Sequence, residues 1–222
     1  MKTTELMHRV ADAWHRAPSD DATAKRVVDA AARQIELFGI QRTTMEDVAR
    51  RAGVSRVTIY RHYENKDVLV EAVVLREVRR FLADLGAFLE KFDSDAERMV
   101  EGFAFTVTAL RRHTLLQRLI ESEPELFLPQ LTTGAGPLLA LARSMVVDYA
   151  RTRWPDMPED DLALGSEVGI RLMISLVLTP DSVLDLDDQD RLRDLARRFL
   201  PIAAFTTAKR ARAPRKAPRA RG

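Results

Sequence analysis

TTMEDVARRAGVSRVTIYRHYENKDVL, residues 43–69, is the stretch whose reading decides the fold. It holds two short helical segments around a turn. In the first, Met45, Val48, Ala49 and Ala52 recur at helical spacing, and Thr43 with Glu46, or Thr44 with Asp47, can form a capping box. Gly53 tolerates the left-handed backbone of a tight turn, Val54 is an apolar plug between the helices, and Ser55 can satisfy free amides where the second segment begins. That segment turns Ile59, Tyr60 and Tyr63 inward and leaves Arg56, Val57, Thr58, Arg61 and His62 on its outward face. Asn65 can cap the helix that follows. This is the layout of a helix-turn-helix, whose second helix enters the major groove of DNA. Arg56 and Arg61 suit guanine edges or phosphates, and Thr58 suits a phosphate or a thymine methyl.

Upstream, Val27, Val28, Ala31, Ala32, Ile35 and Phe38 recur at three and four, one face of a helix that starts near Ala22 and stops at Gly39. Residues 1–20 mix charges without a sustained period and end in Pro18-Ser19-Asp20, so they are expected to be a flexible extension. Downstream, an apolar periodicity runs from Lys66 to about Phe88, too long for a compact three-helix module, and reads as a connector. Further helices are expected at 96–112, 114–122, 137–154, 159–178 and 188 to about 205, with a short turn of helix around 124–131. No segment alternates with period two. The expected fold class is therefore all-α: an N-terminal three-helix DNA-binding domain, residues 21–67, joined by a long helix to a C-terminal helical bundle, residues 68–206.

Residues 43–69 resemble the DNA-binding domain of the TetR family of transcriptional regulators. The match rests on the threonine-led helix with Val48 and Ala49, then Ala52-Gly53-Val54-Ser55, then Thr58-Ile59-Tyr60 with His62 and Tyr63, then Lys66 opening the connector. AARQIELFG at 31–39 is similar to the family's first helix. Val57 departs from the small residue common at its position, and Tyr63 from the usual phenylalanine. The resemblance implies that Thr44, Thr58, Tyr60, His62 and Lys66 contact phosphates, and that Arg56, Val57 and Arg61 lie near base edges. Tyr60 can both pack its ring and reach out with its hydroxyl. Thr43 reads as a cap rather than a contact.

The same resemblance implies a second domain that dimerises through its last two long helices and encloses a small-molecule pocket. Gly165 and Gly169 lie one helical turn apart and permit close helix approach, and Leu172, Met173, Leu176 and Leu178 extend an apolar surface. The expected homodimer contact is 165–178 with 192–205. Pocket candidates are Met99, Phe103, Val107, His113, Met145, Tyr149, Arg171 and Met173, together with Phe105, Leu110, Leu116 and Trp154. The expected ligand is small and apolar or amphipathic, because methionine-rich surfaces repack around varied ligands.

Composition bounds the alternatives. The chain has 222 residues, 46% hydrophobic and 31% charged, as in an ordinary soluble protein, and it has no cysteine, hence no disulfide or thiolate metal site. The longest uncharged stretch, 126–142, is interrupted by Pro129, Gly134, Gly136 and Pro137 and falls short of the roughly 20 apolar residues of a membrane span. Glu5 and Asp12 interrupt any apolar run of a signal peptide, and a cytoplasmic location is expected. The net charge of +2 combines seven cations without an acid at 207–222 with a net −5 over residues 1–206, so the basicity sits in a tail expected to be disordered. That tail either acts as a solvated extension or adds non-specific phosphate contacts. His8, His15, His62 and His113 are scattered, and there is no HExxH, GxSxG or phosphate-binding glycine loop, so no catalytic site, cofactor or metal is expected. The acidic runs at 159–161 and 185–190 read as helix starts. The expected activity is that of a homodimeric regulator, most simply a repressor, which binds a pseudo-palindromic operator in double-stranded DNA and is released by a ligand. The alternative is a helical architectural or adaptor protein that binds DNA without a ligand response.

Overall fold

The computed structural model describes residues 3–14, 20–153, 158–179 and 181–200. All regular elements among them are α-helices: α1 (Thr3–Ala13), α2 (Ala22–Arg42), α3 (Met45–Ala52), α4 (Arg56–His62), α5 (Lys66–Leu89), α6 (Asp95–Arg112), α7 (Thr114–Ser122), α8 (Pro124–Leu131), α9 (Gly136–Arg153), α10 (Glu159–Leu178) and α11 (Gln189–Phe199). The basic tail at 207–222 and Trp154 lie outside the described residues.

Short polar side chains start most of these helices by accepting otherwise unpaired amides. Asp21 accepts from Thr23 and Ala24 at α2, Asn65 from Val68 at α5, Ser94 from Glu97 at α6, and Asp188 from Asp190 and Arg191 at α11. The acidic run 185–190 thus does work at a helix start. Glu123 precedes α8 without a side-chain cap, and there Pro124 opens the helix, where its missing N–H costs nothing. Gly39 takes φ 79° and ψ 170° and interrupts α2 where the sequence reading placed its end.

The largest apolar cluster unites Val27, Ala31, Ile35, Val48, Ile59, Leu69 and Val73 of α2–α5 with Leu115 and Leu119 of α7, Phe127 of α8 and Leu141 of α9. Helices α2–α5 therefore share a core with the bundle rather than standing apart from it. A second cluster joins Val100, Phe103, Ala104 and Val107 of α6 to Leu176 of α10 and to Leu192 and Ala196 of α11.

The N-terminal segment departs from the expectation of a flexible extension. Residues Thr3–Ala13 form α1, which packs against α5, α8 and α9 and buries Leu6, Val10 and Ala13 in the largest cluster. Spacings of four and three put these three side chains on one helix face, a period partly masked in sequence by the charges between them. A lone helix of this length is marginal in water, so docking supplies its stability. An ion pair of Arg9 with Glu71 at 2.9 Å and a hydrogen bond from Arg79 to the Trp14 carbonyl at 3.2 Å fasten it to α5.

Candidate nucleic-acid interface

α3 and α4 meet around Gly53, whose φ of 65° is left-handed, and the amide of Val54 closes the turn on the Ala49 carbonyl at 3.0 Å. Thr44 is the cap of α3: its Oγ1 accepts from the Asp47 amide at 3.1 Å and donates to the Asp47 carboxylate at 2.6 Å. The Thr44 hydroxyl first, then Arg50, holds the Asp47 carboxyl below the ordinary carboxylate range. Of the two capping boxes legible in sequence, the chain thus uses Thr44 with Asp47. Thr43 does not cap α3; it ends α2, where it is buried and donates from its hydroxyl to the Gly39 carbonyl at 2.6 Å.

Ser55 caps α4 by accepting from the Thr58 amide at 3.1 Å, and its hydroxyl lies 2.8 Å from that of Thr58. Ile59 is fully buried and anchors the inner face of α4, while Tyr63, just past its end, is buried and donates from its hydroxyl to the Ala24 carbonyl at 3.4 Å. Burial pushes the Tyr63 phenol up. Arg56, Val57 and Arg61 remain outside as expected; Tyr60, expected to turn inward, is also exposed, whereas Thr58, expected outside, is half-buried. Val57 is 80% exposed, an apolar side chain turned to solvent. Arg56 is ion-paired with Glu46 of α3, which holds the guanidinium in front of the helix.

Two expected phosphate contacts face inward. His62 is only 15% exposed and lies 3.8 Å from the Asp21 carboxylate, at the start of α2. Lys66 donates to the carbonyls of Ile40 and Gln41 at 3.2 and 3.4 Å, completing the C-terminal turn of α2. The sequence reading missed Arg42, an exposed cation two residues before Thr44 and on the border of a shallow hollow with exposed Phe38 and with Arg50 and Arg51. Its place at the end of α2, beside the threonine-led helix, was the available signal.

The residues expected to form a ligand pocket do not converge. Phe103 and Val107 are fully buried in the α6–α10–α11 cluster, with Met173 packed on it, and Met145 packs instead on the cluster around α1 and α2. Met99 is half-buried on α6, Tyr149 on α9 is 38% exposed, and Arg171 is exposed and paired with Glu167 at 2.9 Å. His113 and Phe105 border a cleft of about 610 Å³ between α2, α5, α6 and the start of α7. His113 also caps α7, its Nδ1 accepting the Leu116 amide at 3.2 Å, which leaves Nε2–H to face Glu77 at 3.3 Å. The hydrogen bond from His113, followed by Arg76, lowers the Glu77 carboxyl to about 2.

A second joint ties the bundle to the DNA-binding helices. Glu123 is buried between α7 and α8, and its Oε1 accepts from the Gln41 amide at 2.9 Å beside Gly39. A Cβ on Gly39 would stand 2.5 Å from that same oxygen, so the close approach requires glycine.

On the far side of the bundle Leu164 and Val168 form an exposed apolar pair one turn apart on α10, and Phe199 is exposed on α11. Gly169, by contrast, is buried and turned toward Leu200 of its own chain. Among the described residues no helix is long and apolar enough to cross a membrane.

A capped pair of short helices, with its inner face locked to the core and a cationic, partly apolar outer face, defines a DNA-binding protein of the helix-turn-helix class. The profile described as "Bacterial regulatory proteins, tetR family" matches residues 27–73, and that described as "Bacterial Tetracyclin repressor, C-terminal domain" matches 95–200. The HTH-type transcriptional regulator AlkX of Mycobacterium tuberculosis is 28% identical over 163 residues, 72% of this chain and 75% of its own. The crystal structure of the TetR family repressor AlkX from a Dietzia species, implicated in biodegradation of n-alkanes, has a TM-score of 0.61 at 23% identity, covering 82% of this chain and 97% of that one. RolR in complex with resorcinol has a TM-score of 0.56 at 14% identity, covering 86% and 94%. The chain belongs to the TetR family and is a DNA-binding transcriptional regulator.

Proposed function

We propose that the protein is a homodimeric repressor that leaves its operator when a small molecule binds, with residues 21–67 reading DNA and 68–206 sensing and dimerising. The observation that carries the reading is the outward face of α4, where Arg56, Val57, Tyr60 and Arg61 stand exposed on a helix fixed from behind by Ile59. Arg56, Val57 and Arg61 read base edges, while Thr44, Thr58 and Tyr60 hold phosphates. His62 supports the register from its place beside Asp21, and Lys66 exchanges its carbonyl partners for a phosphate on binding. The exposed Leu164, Val168 and Phe199 supply the dimer surface on α10 and α11, which sets the two copies of α4 about 34–36 Å apart, one turn of DNA.

A ligand can act only by preferring a dimer whose two reading helices are wrongly spaced, since equal affinity for both forms shifts nothing. The bound resorcinol of RolR supports small-molecule sensing in this fold. DNA binding without a ligand response is the second reading, favoured by the packing of Phe103 and Val107 into a core. The chain is read as non-catalytic and cytoplasmic. Footprinting on the DNA upstream of the protein's own coding region tests the dimer reading: two protected major-groove segments one turn apart are expected. Leu164→Asp combined with Val168→Asp should give monomers in sedimentation and erase both segments together. A single protected segment, or monomers that still protect two, overturns it.

A further inference from the structure

We propose that the cleft between α2, α5, α6 and the start of α7 is a binding site for a small aryl monoanion. Its volume, about 610 Å³, lies within the range of small-molecule pockets, about 300–1,000 Å³. Its walls come from both halves of the protein, so an occupant touches the DNA-binding helices and the bundle at once. Four arginines border it, and two are already committed: Arg33 pairs with Glu36 at 3.1 Å, and Arg76 pairs with Asp29 and Glu77. Arg80 of α5 and Arg112 of α6 border the same cleft with no carboxylate within 4.0 Å among the described residues. A guanidinium without a partner, on the wall of a concave site, is a ready donor pair for a carboxylate or sulfonate.

The ligand's body follows from the rest of the wall. Phe81 and Phe105, with ring centroids 6.4 Å apart and planes 30° apart, form an aromatic side, and Phe88 stacks on Phe105 at 4.7 Å and steadies it. Rings of this kind favour stacked or edge contacts with a flat aromatic ligand. Asp84 also borders the cleft without an ion-pair partner among the described residues. Four acids thus balance four arginines, a balance that disfavours a polyanion and suits a single negative group set against Arg80 and Arg112. The binding itself stands on this geometry; its effect on DNA rests on the ligand-responsive reading above.

The test uses the full chain and two fluorescent probes with the same aryl skeleton, 8-anilinonaphthalene-1-sulfonate and the uncharged N-phenyl-1-naphthylamine. Arg80→Ala with Arg112→Ala should weaken the sulfonate at least about tenfold while changing the uncharged probe less than about twofold. The melting temperature should stay put, because both side chains are exposed. Ala109→Trp, which fills the cleft, should exclude both probes. Unchanged sulfonate affinity in the double variant, or equal loss of both probes, overturns the site. Operator affinity is then measured with saturating sulfonate: a sulfonate that binds through the arginines yet leaves operator affinity unchanged keeps the site and removes the ligand-responsive reading.

Discussion

The helix-turn-helix and the bundle behind it are built from the same kind of element, yet different forces place their functional side chains. In α2 to α5 each helix begins at a side-chain cap close in sequence, Asp21, Thr44, Ser55 or Asn65, and the turn residue Gly53 supplies the one left-handed backbone the motif requires. Arg61 stands outside because Ile59, two residues and about 200° of helix turn away, is pinned inside, and Arg56 is exposed at the first turn of the same helix. In the bundle the decisive contacts are remote: Glu123 reaches Gln41, His113 reaches Glu77, and α1 spans α5, α8 and α9. Function written in local rules survives as a motif, and function written in long-range packing leaves only an apolar pattern.

The largest effects should come from the two cores. Phe103→Ala should cost about 3–5 kcal/mol and Ile59→Ala about 2–5 kcal/mol, read by thermal unfolding. Because the helix-turn-helix shares its cluster with α7, α8 and α9, Ile59→Ala should lower a single cooperative transition. A separate early transition would show the two regions to be independent. The next contrast is between glycines. Gly39→Ala meets both a backbone that favours glycine and the Glu123 carboxylate, and should cost at least about 2–3 kcal/mol; Gly53→Ala has open space around it and should cost about 1–2 kcal/mol. The reverse order would mean that the Glu123 joint does not hold α2 in place.

Effects on DNA come third. Arg56→Ala or Arg61→Ala should lower specific affinity by about 1–3 kcal/mol and relax sequence preference, whereas Lys66→Ala should weaken all sequences alike and flatten the salt dependence. Uniform losses from all three would defeat the division between reading and positioning. The smallest effect is electrostatic. The Glu77 carboxyl lies at about 2 in the folded chain against an ordinary 4.5, so its charge stabilises the fold at neutral pH, a contribution that is lost as pH falls from about 4.5 through 2. Glu77→Gln should therefore cost about 1–2 kcal/mol at pH 7, after screening, with the difference from the unsubstituted chain vanishing near pH 2. A constant difference across that range would remove the His113–Glu77 link.

What the sequence made legible follows the same line. The all-helical fold, the turn at Gly53 and the exposure of Arg56, Val57 and Arg61 were readable, since caps and periodicity act within a few residues; Tyr60, which the spacing turns inward, stands 45% exposed instead. The choice of Thr44 over Thr43 as cap was not, because both satisfy the spacing and only burial of Thr43 decides. His62 and Lys66 matched their motif positions, but their nearest partners, Asp21 and the carbonyls of Ile40 and Gln41, lie more than twenty residues upstream. Phe103 and Val107 had the apolar spacing of a pocket and the same spacing as a core, and three-dimensional packing made them core. The cleft eluded the sequence because its arginines come from separate helices, and which of them are paired is a matter of side-chain geometry.

The most direct measurement is binding of the full chain, by fluorescence anisotropy over a range of salt concentrations, to the DNA upstream of its own coding region and to a scrambled duplex, beside the variant Arg56→Ala with Arg61→Ala. The upstream DNA should bind at least about a thousandfold more tightly than the scrambled duplex, and the double variant should lose most of that ratio while keeping a similar salt slope. If the double variant keeps the full preference for the upstream DNA, α4 is not the reading helix.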